Sequence, residues 1–366
     1  MGFYLGLMSG TSMDAIDAAL VDFDVSPLAL VAVTATPFEP ELKRRLAHVL
    51  DSPDRVALDE LGQLDVELAQ SFAAAASALL RGAGVAAEHV TAIGSHGQTL
   101  RHRPDLPTPF TWQIGDPNTL TEMTGITVVA DFRRRDVAAG GQGAPLLPVF
   151  HDQVFRSTDE DRVIANLGGI ANITILRRDT PVTGFDTGPA NRLLDGWIAR
   201  HQGRDFDADG TWADTGRCDD ALLQRLLDEP YLGLRPPKST GRELFNMPWL
   251  ERKLATVARR PQDVQATLQQ FTAVTLATAV RRHAPGASLY LCGGGAHNAG
   301  LLAAIAQLMA PQRVATTAAL GLDPDYVEAV AFAWFARRTL EGLTSSAGSV
   351  TGAAGARILG GVYRYA

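Results

Sequence analysis

Cysteine is nearly absent: the 366-residue chain holds two, Cys218 and Cys292, far apart and in no CxxC spacing. A disulfide framework and a cysteine metal site are therefore excluded, and a reducing cytoplasmic setting is expected. Basic charge is also short. Lys+Arg 33 against Asp+Glu 40 leaves a net charge of −7, without the cationic footprint that non-specific nucleic-acid binding requires. Long apolar runs are missing too, since the stretch 68–80 falls short of the roughly 20 residues that span a bilayer, so no membrane association is expected. The opening Met1-Gly2-Phe3-Tyr4-Leu5-Gly6 has no basic n-region, and Gly6 stands where a myristoylation motif has Ser or Thr, so neither export nor lipidation is expected. No Gly-Lys dipeptide occurs, which excludes a Walker A loop.

What is present is an ordinary globular composition, 46% hydrophobic and 20% charged, long enough for two or three domains. The spacing predicts a strand at 3–8, a turn at Ser9-Gly10-Thr11-Ser12 and a strand at 16–23. The same grammar returns at 163–165, Asn166-Leu167-Gly168-Gly169-Ile170-Ala171-Asn172 and 173–176, either as an internal repeat or as two unrelated hairpins. Helices are expected at 40–50 and at 58–80, the second closed by Gly82 and Gly84. A strand at 90–93 opens into Gly94-Ser95-His96-Gly97-Gln98-Thr99. Asp116 followed by Pro117 reads as an N-cap with proline at the first helical position, closed by Gly125. A further strand is expected at 126–131. The glycine-rich 133–145 marks a boundary between halves. Beyond it come a strand at 182–185, a helix from 192, loops at 203–216 and 236–242, a helix at 262–282, a strand at 288–292 and a helix at 301–309. Alternating strands and helices give an α/β class.

Gly293-Gly294-Gly295, after a strand and before a helix, suits backbone approaching a nucleotide, or a tight turn without ligand. It fails the Rossmann fingerprint, because Asn298 stands at the third glycine position and no acidic residue follows about 20 residues on. Three such loops on strands, at Gly10-Thr11-Ser12, at Asn166-Leu167-Gly168-Gly169 and at Gly293-Gly294-Gly295, form a design for gripping a nucleoside triphosphate through backbone N–H groups and hydroxyls.

Four motifs make the pattern specific: Gly6-Leu7-Met8-Ser9-Gly10-Thr11-Ser12-Met13-Asp14-Ala15-Ile16-Asp17, Ser95-His96-Gly97-Gln98-Thr99, Gly184-Phe185-Asp186-Thr187-Gly188-Pro189-Ala190-Asn191 and Gly293-Gly294-Gly295-Ala296-His297-Asn298. In this order, from Gly6 to the Gly360-Gly361-Val362-Tyr363 tail, they resemble the anhydro-N-acetylmuramic acid kinase family. The resemblance implies the fold shared by actin, hexokinases and the heat-shock chaperones: two related α/β domains with mixed five-stranded sheets around an ATP cleft. We expect one subdomain from 1–131 plus 350–366 and the other from 132–349. Ala15 and Ala190 depart from the family pattern, where glycine is expected. The family's reaction opens the 1,6-anhydro ring of 1,6-anhydro-N-acetylmuramic acid with water while O6 takes a phosphoryl group from ATP, in cell-wall recycling.

The resemblance places ATP at Gly10, Thr11, Ser12, Met13, Asp14, Ala15, Ile16, Asp17, Asn166, Gly168, Gly169, Gly293, Gly294 and Gly295. His96, Gln98, Thr99 and Arg133 fall on the sugar side, where hydroxyls and an arginine suit a lactyl carboxylate. Asp186 is the candidate base for the water, with a helix N-cap as the alternative. Glu328 is a second carboxylate near the water, or an ordinary exposed helix glutamate. His96 has only His102 nearby, which suits a polar loop histidine rather than a metal ligand. Lys238 is either a phosphate contact or a loop cap. Phosphoryl transfer calls for Mg²⁺ held largely by phosphates and water, its protein ligands unknown. Two other readings stay in view: a kinase of this fold for another sugar, and a non-catalytic nucleotide binder, against which Asp186 argues. The assembly is left open between monomer and homodimer.

Overall fold

A computed structural model describes residues 2–10, 13, 15–26, 28–51, 56–255 and 257–366. The strands in chain order are β1 (Phe3–Ser9), β2 (Ala15–Asp22), β3 (Ala29–Pro37), β4 (Val90–Ser95), β5 (Gln98–Arg103), β6 (Phe110–Ile114), β7 (Val128–Ala130), β8 (Arg162–Leu167), β9 (Ile170–Leu176), β10 (Thr183–Pro189), β11 (Ser288–Cys292), β12 (Val314–Thr316) and β13 (Gly361–Tyr363). The chain divides into two compact units, one from Met1–Phe150 with Tyr326–Ala366 and one from His151–Asp325. The division therefore falls after Phe150 and Asp325, whereas the sequence suggested 131/132 and 349/350. Of the segments that change sides, the helix Val327–Leu340 packs on the first unit's sheet and Phe132 packs on that helix at Phe332 and Phe335, and an apolar face does not reveal which sheet it will cover.

Both units share one strand order. In the first the sheet runs β3-β2-β1-β4-β7-β13, and in the second β10-β9-β8-β11-β12. Each begins with three strands in antiparallel succession, followed by two that lie parallel to the first. The two hairpins noted in the sequence are thus the opening pairs of a repeated α/β topology. The first sheet has one strand more than expected, because Gly361–Tyr363 adds antiparallel to Val128–Ala130. A separate two-stranded sheet joins β5 to β6.

In the first unit, the helix Leu58–Ala83 buries Leu64, Leu68, Phe72, Ala76 and Leu80 at a spacing of four, the apolar stripe of a sheet-covering helix. It ends at Gly84, in left-handed conformation with φ 66°, the second of the two glycines expected to close it. Asp116 caps its helix as read, accepting the Thr119 N–H at 2.9 Å. A second long helix against this sheet is Val327–Leu340, buried almost throughout. It approaches the strands at Gly6 and Gly94, which are direct partners across β1 and β4. A Cβ on Gly6 would lie 1.7 Å from the Ala329 carbonyl oxygen, and one on Gly94 would lie 1.9 Å from that of Phe332. Backbone meets backbone there, with no flexible side chain to yield.

Gly6→Ala and Gly94→Ala should each cost about 3 kcal/mol or more, at the upper end of overpacking. Gly62→Ala, where a Cβ would meet nothing within 4 Å, should instead stabilise by about 0.5 to 1 kcal/mol. Urea denaturation of the three variants checks both signs.

Candidate active site

Asp186 lies in β10, where the register against β9 slips between Asp186 and Gly188. Such a bulge re-aims the side chain at that point. The residue is 8% exposed. Its Oδ2 accepts the Thr240 N–H at 2.9 Å, and its carbonyl accepts the Tyr231 hydroxyl at 2.8 Å. Its own N–H donates to the Lys238 carbonyl at 3.3 Å. The loop beyond Tyr231 is thereby tied to one aspartate at three atoms. The capping alternative does not match this geometry: the helix Asn191–Gln202 begins at Ala190 with no side-chain cap.

Lys238 is the staple of the same loop. Its ammonium donates to the carbonyls of Tyr231 at 3.1 Å and Leu232 at 3.3 Å, and lies 4.5 Å over the Tyr231 ring. Burial lowers its pKa, and the Asp186 charge opposes that shift. Burial and the same charge raise the Tyr231 phenol, so it remains a neutral donor.

The second unit also gathers two of the three glycine loops. β8 and β11 run parallel with Asn166 opposite Cys292, which sets Gly293 beside Asn166. Gly293 has φ 78°, and a Cβ there would fall 2.2 Å from Asn166 Oδ1; one on Gly295 would fall 2.7 Å from Leu167 Cβ. The Gly168 carbonyl accepts the Asn191 N–H at 2.9 Å, and that of Gly169 accepts the Ala190 N–H at 3.0 Å. Asn166, Gly168, Gly169, Gly293 and Gly295 thus form one cluster, with Gly294 in its turn. Asn166 Oδ1 is buried with no hydrogen-bond partner among the described residues, an acceptor left for a ligand or water. Ala190, one of the two departures from the family pattern, is packed in the core with φ −112° and ψ −105°. The sequence reading missed Asn298 as a helix cap, although Asn directly before an apolar run is such a signal; its Oδ1 accepts the Leu301 N–H at 2.9 Å.

In the first unit the β1–β2 connection carries Gly10, whose carbonyl accepts the Met13 N–H at 3.2 Å. Thr11, Ser12 and Asp14 lie outside the described residues. Met13 and Ile16 point into the hydrophobic core, Ile16 only 1% exposed, so only their backbone is available to a nucleotide. Ala15 and Asp17 are paired within β2.

His96 is buried at the end of β4. Its Nε2 receives Arg133 Nε at 3.1 Å and Nη2 at 3.0 Å. Because guanidinium only donates, Nε2 is the acceptor and the ring is neutral. Burial, and next the Arg133 charge, hold its pKa well below the usual value. Gln98 Oε1 accepts the Ser9 hydroxyl at 2.6 Å, and Thr99 Oγ1 accepts from Gln113 Nε2 at 3.1 Å. Ser9 and Gln113 are additions that the sequence did not single out, since serine and glutamine carry no spacing signal. Ser95 Oγ and Gln113 Oε1 are buried without partners among the described residues. The four expected sugar-side residues thus share one polar region of this unit. Glu328 stands in the first turn of Val327–Leu340 and is half-buried rather than exposed. Among the described residues no group of three His, Cys, Asp or Glu could hold a metal ion, and no helix is long and apolar enough to cross a membrane.

A family profile described as anhydro-N-acetylmuramic acid kinase matches residues 2–365. A relative of that name from Xanthomonas campestris pv. campestris (strain 8004) is 53% identical over 364 residues, covering 98% of this chain and 97% of its own. Another of that name, from Saccharophagus degradans, is 49% identical, covering 98% of each chain. Among solved structures, the activator of the 2-hydroxyisocaproyl-CoA dehydratase from Clostridium difficile with bound ADPNP covers 93% of this chain and 98% of its own, at 12% identity and TM-score 0.47.

The buried histidines give a pH signature. Burial lowers His102 to about 4 and His151 to about 3. The unfolded chain takes up protons near pH 6.5 that the folded chain refuses, so stability holds above 6.5 and falls as the pH drops through this window. Ring NMR should show His102 and His151 neutral at pH 5.5, and titration of either near 6.5 contradicts the assignment.

Proposed function

Since the chain belongs to the anhydro-N-acetylmuramic acid kinase family, we propose that it opens the 1,6-anhydro ring of 1,6-anhydro-N-acetylmuramic acid with water and transfers the ATP γ-phosphoryl group to O6. The products are N-acetylmuramic acid 6-phosphate and ADP, in cytoplasmic peptidoglycan recycling. The observation that carries the mechanism is Asp186, a buried carboxylate at a strand bulge that accepts a backbone N–H and does not cap the helix that follows.

Glycoside opening ordinarily takes two carboxyl groups, one activating water and one protonating the departing oxygen. Here O6 leaves C1 with its electron pair and forms the new bond to phosphorus, so the phosphoryl group replaces the acid. Asp186 takes a proton from water as the water oxygen bonds to C1, and ADP departs. Glu328 is the second carboxylate beside that water. His96, Gln98, Thr99 and Arg133 hold the sugar, the cationic Arg133 suiting the lactyl carboxylate. Gly10, Thr11, Ser12, Met13, Asp14, Ala15, Ile16 and Asp17 form one nucleotide loop. Asn166, Gly168, Gly169, Gly293, Gly294 and Gly295 form the others, and the unpartnered Asn166 oxygen supports a ligand there. When bound with the nucleotide, Mg²⁺ would be held largely by phosphates and water and would supply the charge that offsets the transferring group. Sedimentation decides between monomer and homodimer.

Asp186→Asn should lower turnover by about 10² to 10⁴ while ATP binding, read by calorimetry, persists. The C1 oxygen should come from labelled water with inversion at C1, and near-normal turnover would move Glu328 to first candidate. Exhaustive chelation should abolish turnover and Mg²⁺ should restore it.

A further inference from the structure

Behind His96 and Arg133 lies a buried carboxylate that no step above uses. Asp136, in the short helix Arg134–Ala138, is 0% exposed. Its Oδ2 accepts the Gly143 N–H at 2.8 Å, and its Oδ1 accepts the Thr351 hydroxyl at 2.8 Å. On the other side of Gly143, the carbonyl accepts Arg133 Nη1 at 2.8 Å. The same guanidinium sends its remaining edge to His96 Nε2. One unbroken series of contacts thus runs from Asp136 through Gly143 and Arg133 to His96.

The surroundings leave the glycine loop little freedom. Gly143 has φ 68°, where a Cβ would lie 2.7 Å from Val137 Cγ2. At Gly141 the chain passes so close that a Cβ would lie 2.3 Å from Asp136 Oδ2. The Thr351 segment is laced to the same loop, with the Gln142 N–H donating to the Thr351 carbonyl at 2.8 Å and the Ala354 N–H to that of Ala139 at 2.9 Å. Both carboxylate oxygens of Asp136 face donors. An amide that accepts the Gly143 N–H turns its NH₂ to the Thr351 hydroxyl, which can accept it only by turning its own proton toward the Ala347 carbonyl at 3.5 Å, so asparagine keeps the shape but loses both charge-assisted bonds.

We propose that Asp136 is a positioning residue for the sugar side of the site: it fixes Gly143, whose carbonyl aims Arg133, whose guanidinium sets the acceptor face and orientation of His96. This rests on the reading of Arg133 and His96 as sugar contacts.

The test is steady-state kinetics of the full chain with ATP and 1,6-anhydro-N-acetylmuramic acid, on variants shown folded by circular dichroism. Asp136→Asn should raise the sugar KM roughly ten- to hundredfold, the scale of a lost hydrogen bond to a charged group, with the ATP KM unchanged. In ¹⁵N-histidine NMR the His96 Nε2 resonance should move as its bond from Arg133 weakens. Thr351→Ser, which keeps the hydroxyl, should retain both values, and Thr351→Val should shift both in the same direction as Asp136→Asn. If Asp136→Asn does not fold, Thr351→Val carries the test. A folded variant with unchanged sugar KM and unchanged His96 resonance overturns the proposal. Arg133→Ala separates the two layers. If it raises the sugar KM while folded Asp136→Asn does not, positioning alone fails. If Arg133→Ala leaves the sugar KM unchanged, the sugar-contact reading fails and the proposal falls with it.

Discussion

The first unit hangs on one backbone approach, the helix Val327–Leu340 lying directly on Gly6 and Gly94. Side-chain packing can adjust by rotamer changes, but two backbones in contact have no such freedom. The height of the helix above the sheet is therefore set to within a fraction of an ångström. That height matters because the helix carries or contacts groups of the proposed site. Glu328 stands in its first turn. Phe332, whose carbonyl meets Gly94, packs its ring against His96 at 4.8 Å and against Phe132 at 5.4 Å. His96 is thus held by a ring on one side and by Arg133 at Nε2, and its neutral tautomer follows from both. Core packing and proton placement are one constraint here.

The second unit reaches a comparable precision by other means. Its sheet repeats the strand order of the first, yet its candidate base depends on a bulge and a loop. The slip between Asp186 and Gly188 breaks the alternation of β10, and the loop from Tyr231 to Thr240 clamps the aspartate at its N–H, its carbonyl and its carboxylate. Lys238 keeps that loop closed on itself through two carbonyls. Burial disfavours its charge, and the neighbouring Asp186 carboxylate compensates. Loop and aspartate therefore support each other electrostatically as well as through hydrogen bonds.

The sequence was most legible where local chemistry decides structure. Asp116 with Pro117, the apolar stripe of Leu58–Ala83 and the strand Ser288–Cys292 stand where capping and periodicity put them. It was least legible where distant partners decide. Gly361–Tyr363 becomes a strand only because Val128–Ala130 is there to pair with it, and the β5–β6 ribbon is too polar to announce itself. The division of the chain after Phe150 and Asp325 depends on which sheet an apolar helix covers, which periodicity does not encode. Among the candidate residues, the glycine turns after β8 and β11 could be read because strand ends constrain them, whereas Asp186, expected just past a strand, stands inside β10 at a bulge. Ser9, Gln113 and Asp136 could not be read, since each acquires meaning only from a partner far away in the chain. Met13 and Ile16 show the converse: residues inside a nucleotide-loop motif whose side chains serve the core.

A last consequence follows from the scarcity of lysine. Lys43, Lys238 and Lys253 are the chain's lysines, and no Walker loop exists. Lys238, at the loop where a phosphate contact was conceivable, is instead committed to the carbonyls of Tyr231 and Leu232. Among the described residues the second unit's glycine cluster brings together backbone, the Arg192 side chain beside Gly169 and an unpartnered amide oxygen on Asn166. That oxygen accepts rather than donates, so it suits a hydroxyl, an amino group or a water and repels a phosphate. Backbone N–H groups can orient a triphosphate, but they carry only partial charges, too little to neutralise it as it transfers. In the reaction proposed here a dication bound with the nucleotide would supply that neutralisation, while the protein would supply shape, orientation and, at Asp186, the base for the water.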